Sequence, residues 1–352
     1  MVIVKLSEMI TNKELTNMEL TKREDVLSFA GLVVRKDYDS SINIVNNWLD
    51  NNPFDHNAMS QFKGNKNPDK KKKYLGSPQN IYQDKLLPIL KACNSSNPKE
   101  ELYKLFDGKG KINNITIFSD GNDKLNFLNF STMPKVNCGG AGGCLSFCYS
   151  FKSLRNPNVV ARWVANTILE NHAFEIIEDS LRWNLSRRIY KREVKDLQVV
   201  NFRLYNDGDF QSLDKMIAWF DILNKFPTLR AYAYSKSLHL FKNFIDVYGA
   251  ENIPKNFLLN LSSGVHPIYK PLKKVLEKYD FVRGHFIGLP MDKKVKPTDL
   301  TKEDKKELRQ KAKSLGFHKT FICGGICQNC TNQGHACGMP KFKNVTIVTP
   351  IH

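Results

Sequence analysis

Seven of the eight cysteines fall in two short stretches, and this clustering is where the sequence can do chemistry. Asn137–Ser150, NCGGAGGCLSFCYS, carries Cys138, Cys144 and Cys148 as C-x5-C-x3-C among four glycines. Glycines let a backbone wrap closely around a ligand. Three thiolates can hold zinc with one position open, or a [4Fe–4S] cluster with one iron left free for a small molecule. A closed zinc site needs a fourth ligand, and the nearest histidine downstream is His172. The second stretch, FICGGICQNCTNQGHACG, carries Cys323, Cys327, Cys330 and Cys337 as C-x3-C-x2-C-x6-C. Four thiols are the ligand set of a tetrahedral zinc ion or of a cubane cluster, with His335 as an alternative to one of them. The eighth, Cys93, closes a helical pattern and reads as a buried, inert thiol.

These loops need a scaffold. Strand patterns at Leu197–Tyr205, Leu229–Tyr234, Phe257–Leu261 and Phe281–Gly288 alternate with helix patterns at Asp214–Phe226, His239–Tyr248, Pro267–Tyr279 and Thr301–Leu315. Asn158–Leu181 predicts a long helix, and Asn114–Phe118 and Lys124–Phe130 predict two strands around the turn SDGND. Alternation of this kind means βαβ units and a parallel sheet, which right-handed crossovers curl into a full or partial (β/α) barrel. Sites in such folds lie at the C-terminal strand ends. That rule selects Asn206, Asp207, Gly208 and Asp209, then Tyr234, Ser235 and Lys236, then Asn260, Ser262 and Ser263, and finally His285.

The motifs CGGAGGCLSFCYS, VARW, FRLYNDGDF, AYAYSKS and the terminal cysteines resemble the phage and plasmid gene product 88 family over about 130–340. Its layout is similar to that of radical S-adenosylmethionine enzymes, in which a three-cysteine loop follows the first strand of a partial barrel. The spacing here departs from the usual C-x3-C-x-φ-C, although Phe147 does precede Cys148. The resemblance implies a [4Fe–4S] cluster on Cys138, Cys144 and Cys148 with S-adenosylmethionine on the open iron. It puts Asn206–Asp209 at the amino group, and Tyr234–Lys236 and Asn260–Ser263 at the ribose or carboxylate. The C-terminal set then reads as an auxiliary cluster or a zinc site.

The expected organisation is an N-terminal α+β region (1–125), a partial barrel of radical S-adenosylmethionine type (126–315) and a cysteine-rich segment (316–352). Within the first, Ser40–Asn51 and Ile81–Ala92 read as helices, while Asn52–Gln79, with Lys70–Lys73, reads as a solvated loop. No membrane span or signal peptide is evident, so the cytoplasm is the expected compartment, where clustered thiols mean metal or catalysis more often than disulfides. A net charge of +18 suggests DNA or RNA as partner, with Arg182, Arg187, Arg188, Lys191 and Arg192 as phosphate contacts. Three readings stay open: a radical enzyme, a zinc-stapled nucleic-acid-binding protein, and a metal enzyme with Asp207 and Asp209 as ligands.

Overall fold

The computed structural model describes residues 18–53, 77–121, 127–191, 199–327, 330 and 335–351. The contacts divide the chain into two compact units, 1–116 with 151–177, and 117–150 with 178–352. Residues 151–177 thus group with the N-terminal helices. Lys70–Lys73 and Arg192 lie outside the described residues.

The first unit packs helices α1 (Arg23–Val34), α2 (Tyr38–Asn51), α3 (Leu87–Cys93), α4 (Pro98–Leu105) and α5 (Pro157–His172), with a hairpin of β1 (Lys111–Ile112) and β2 (Ile115–Thr116). Asp37 caps α2 by accepting from the Ser40 amide at 3.2 Å. The helix predicted over Ile81–Ala92 widens to a π-type turn at Ile81–Leu86. Pro88 explains it: proline has no N–H for the Asp84 carbonyl, and its ring would crowd that carbonyl in an α-helix. Asn113 Nδ2 donates to the freed carbonyls of Asp84 and Lys85, both at 2.8 Å. Cys93 is buried, as expected. The long helix expected at Asn158–Leu181 is two, α5 and α6 (Phe174–Lys191), interrupted at Ala173. Tyr38 Oη meets His172 Nε2 at 2.7 Å, and this tertiary contact holds the last turn of α5 at the break.

The second unit carries one seven-stranded sheet, in which every pairing is parallel. Its strands are β3 (Leu128–Asn129), β4 (Val200–Arg203), β5 (Leu229–Ser235), β6 (Phe257–Ser262), β7 (Val282–Pro290), β8 (Thr320–Ile322) and β9 (Thr346–Ile351), in the order β3-β4-β5-β6-β7-β9-β8. From β3 to β7 the order follows the chain without reversal. β9 then inserts between β7 and β8.

One face is covered by α7 (Leu213–Lys225), α8 (Leu238–Tyr248) and α10 (Lys302–Ser314), and the short α9 (Leu272–Leu276) precedes β7. Trp219 of α7 sits edge-on to Phe130 at 4.8 Å, and Phe241 of α8 stacks on Phe257 at 6.1 Å. Leu308 and Ala312 of α10 pack with Ile287, Leu289 and Val348. The opposite face, with Tyr232, Leu258 and Ile347, is covered by the C-terminal cysteine segment instead. Strand alternation enforces this division, since successive side chains point to opposite faces.

Thr301 opens α10 with a capping box: its hydroxyl takes the Asp304 amide, and the Asp304 carboxylate takes the Thr301 amide. Thr301→Ala is expected to cost about 1 kcal/mol in a denaturant melt. The Thr301 amide, aided by Lys293, holds the Asp304 carboxyl below the usual carboxylate range. The charged cap therefore stabilises above that range and weakens as the pH falls through the depressed value.

Candidate functional site: two cysteine sets on one sheet

The three-cysteine loop is laid across strand ends. After β3 the chain follows β4, with the Thr132 amide donating to Asp207 O at 3.0 Å. The loop then docks on the segment after β6: Gly142 N donates to Gly264 O, and His266 N to Gly140 O, both at 2.9 Å. Ala141 and Val265 form an antiparallel bridge. The four loop glycines divide by what surrounds them. A Cβ on Gly140 would sit 1.9 Å from the Lys236 carbonyl oxygen, and one on Gly142 would sit 2.7 Å from His266 Cα. Gly139 and Gly143 face open space. Gly264, at φ +74°, accommodates Cys144, whose Cβ lies 2.6 Å from where a Gly264 Cβ would stand.

Two buried carboxyls anchor the neighbouring strand ends. Asp209 accepts from Ser235 Oγ (2.7 Å), the Phe210 amide (2.8 Å), the Lys236 amide (2.7 Å) and the Ser237 amide (3.2 Å). Asp207 accepts from Ser150 Oγ (2.6 Å), Asn206 Nδ2 (2.9 Å) and Ser131 Oγ (3.3 Å). Burial raises both carboxyls above the usual range, against the lowering effect of these donors. Between them Gly208 takes φ +82°, and a Cβ there would meet Thr132 Oγ1 at 2.1 Å. Cys138 and Cys144 each lie within electrostatic reach of Cys148, with the Lys236 ammonium near both. Burial raises the Cys138 and Cys144 thiols, and Lys236 acts the other way.

The strand-end residues do not all converge here. Asp207, Gly208, Asp209, Ser235 and Lys236 gather at the loop, and Asn206 joins through its carbonyl, which accepts from the Tyr149 hydroxyl. Tyr234 and Asn260 point to the other face. The Tyr234 hydroxyl bonds Cys337, and Asn260 Nδ2 donates to Cys337 O at 2.9 Å. Ser262 is buried. Ser263 Oγ accepts from the Gly288 amide at 3.0 Å. His285 lies on the helix face, with Nε2 on Glu277 at 2.5 Å and its ring 5.0 Å from Phe317.

Cys323, Cys327, Cys330 and Cys337 share the face lined by Tyr232, Leu258 and Ile347, and each lies in the field of at least two of the others. Burial pushes Cys327 up to about 11 and Cys337 up to about 12. His335 is buried between Phe127 and Tyr232, and its Nδ1 accepts from the Gly338 amide at 3.1 Å. Burial lowers it to about 4, so it is neutral with its proton on Nε2. None of the eight cysteines is in a disulfide. Among the described residues, no three His, Cys, Asp or Glu side chains are drawn together tightly enough to hold a metal ion. The Asp207 and Asp209 carboxylates weighed above as metal ligands accept from side-chain and backbone donors in this structure.

Arg203, the last residue of β4, and Arg283, near the start of β7, were not selected in the sequence, yet they lie in the field of the second set. A charged residue beside apolar strand positions was their signal. Of the basic segment, Arg182 pairs with Glu178 at 2.9 Å and Arg187 with Asp120 at 3.0 Å.

A one-way parallel sheet with a three-cysteine loop at its strand ends and four more cysteines on its helix-free face defines an α/β protein of distinctive layout. The gene product 88 family model matches residues 102–337, about two thirds of the chain, and the chain belongs to that family. No curated protein and no solved structure matches it.

Proposed function

We propose that this chain is an iron–sulfur protein of radical S-adenosylmethionine type, built on a partial (β/α) barrel. The observation that carries the reading is the three-cysteine loop docked at the C-terminal ends of β5 and β6, with Asp209 and Lys236 beside it. The strand order from β3 to β7, with α7, α8 and α10 on one face, suits such a barrel. The donor chemistry is that of a cluster loop: Cys138 and Cys144 each lie in the field of Cys148, on a backbone whose Gly139 and Gly143 leave open space. When bound, a [4Fe–4S] cluster with S-adenosylmethionine at its open iron supplies one-electron reductive cleavage of the sulfonium. Cys138, Cys144 and Cys148 would hold the cluster. Asp209 positions the Lys236 and Ser237 amides, and Lys236 brings positive charge to the loop for an anionic ligand. Asn206 and Ser235 line the same edge. The chain's charge of +18 favours nucleic acid as substrate or partner, in keeping with a family of phage and plasmid proteins. Its unpaired thiols suit the cytoplasm.

The test is anaerobic purification with iron, sulfide and zinc counted per chain. About eight iron and eight sulfide are expected if both sets hold [4Fe–4S] clusters, and about four of each, with one zinc, if the C-terminal set is a zinc site. Reductive cleavage of S-adenosylmethionine should be lost in Cys144→Ala. Zinc alone, in protein from iron-replete cells, would overturn the reading in favour of a zinc-stapled nucleic-acid-binding protein.

A further inference from the structure

Among the described residues, the face that carries the C-terminal cysteines holds two arginines, Arg203 and Arg283, neither of them in an ion pair. Arg283 is fully buried, yet its acceptors are all neutral: Asn260 Oδ1 at 2.7 Å, His285 O at 2.9 Å, Phe342 O at 3.4 Å and Val345 O. Among the described residues no carboxylate pairs with it. Arg203 lies over the Tyr234 ring at 4.7 Å and reaches Tyr149 Oη at 3.3 Å and Asn206 O at 3.5 Å, while its Nε has no partner. Asp207 lies in its field but makes no ion pair with it, its oxygens accepting from Ser150, Asn206 and Ser131 instead. The buried Tyr232 hydroxyl and the His335 Nε2 have no partner either. Cations and donors are not buried in this way without compensation, because water is given up and nothing replaces it.

What these groups surround is the four cysteines. Cys337 lies in the field of Arg283, and Cys327 in that of Arg203. Tyr232 packs in the same cluster as all four. Neutral thiols are weak acceptors, whereas metal-bound thiolates are strong, charged ones. Four thiolates on a divalent ion, or on a cubane core of charge +2, leave a net charge of −2. Two guanidinium groups balance that charge.

We infer that Cys323, Cys327, Cys330 and Cys337 form a closed, dianionic four-thiolate metal centre, with Arg203 and Arg283 as its counter-charges and Tyr232 and Tyr234 as donors to its sulfurs. All four coordination positions come from protein thiols, so this centre does not bind substrate. Arg203 also bonds Tyr149, the neighbour of Cys148, so one cation lies in the field of the second set and is hydrogen-bonded beside the first. The inference is independent of what the three-cysteine loop holds.

A full chain carrying Cys138, Cys144 and Cys148→Ala isolates the centre. It should keep one metal centre per chain, as zinc, or as iron and sulfide with a visible absorption band; a metal-free protein would overturn the inference. Within it, Tyr232→Phe, which removes one oxygen, should speed metal loss to a chelator by about tenfold, while leaving the metal-free protein's melting midpoint unchanged. An unchanged rate would count against the donor role. Arg283→Met is then compared in the presence of the four C-terminal cysteines and after their replacement by alanine. The substitution should lower the denaturant midpoint far more when the thiolates are present. Equal shifts in both backgrounds would make Arg283 a hydrogen-bond hub only and overturn its role as counter-charge. Should Arg283→Met fail to fold, Arg283→Lys, which keeps the charge, should retain the metal, and a metal-free Arg283→Lys protein overturns the role.

Discussion

Gly140→Ala should detach the three-cysteine loop from the sheet at a cost of about 3 kcal/mol, and metal bound by that loop should be lost with it. The obstacle is space: an added Cβ would lie 1.9 Å from the Lys236 carbonyl oxygen and 2.6 Å from the Ser237 nitrogen, both backbone atoms that no rotamer change can move. The segment after β5 is in turn held by Asp209, so the loop must give way. Gly143→Ala is the matched control. Nothing lies within 4 Å of its added Cβ, and its effect should stay within about 0.5 kcal/mol. Denaturant melts of the two variants, with metal counted per chain, check the prediction. Equal stability of the two would mean that the loop is not docked as described.

Asp209→Ala should be comparably severe, because it strands the buried Phe210 amide, the part-buried Lys236 amide and the Ser235 hydroxyl, while the Ser237 amide keeps only Ser235 Oγ at 3.0 Å. Unsatisfied buried donors cost about 1–3 kcal/mol each, and water entering the gap recovers part of this, so about 3 kcal/mol is expected. Asp209→Asn separates shape from charge. Its carbonyl can still serve Ser235 and Phe210, but its amide group would confront the Lys236 and Ser237 amides, donor against donor. It should recover less than half of the loss. Full recovery in a thermal melt would show that one acceptor oxygen is enough and that Asp209 does not hold the Lys236 turn.

The sheet was legible because β4 to β7 alternate with amphipathic helices, and strand-end logic placed Asp207, Asp209, Ser235 and Lys236 beside the cysteine loop. The same logic grouped Tyr234 and Asn260 with them, but adjacent residues of a strand face opposite ways, and these two lie at Cys337 on the other face. Parity read from Ser235 would have separated them. Arg203 and Arg283 could have been found as charges at the ends of apolar strand patterns. The interruption of the long helix at Ala173 carried no local signal, since alanine favours helix and the contact responsible reaches from Tyr38. The insertion of β9 between its sequence predecessors was illegible for a similar reason. No pattern within β9 encodes its neighbours in the sheet.

That insertion governs the order of assembly. The strand Thr346–Ile351 is an interior strand of the sheet, so during synthesis the sheet stays unfinished until that strand is available. The four C-terminal cysteines lie on the segment between β8 and β9, which pair side by side, so its two ends meet only when β9 slots in. A chain that stops before Thr346 would therefore present an open β7 edge and leave the two ends of the cysteine segment apart.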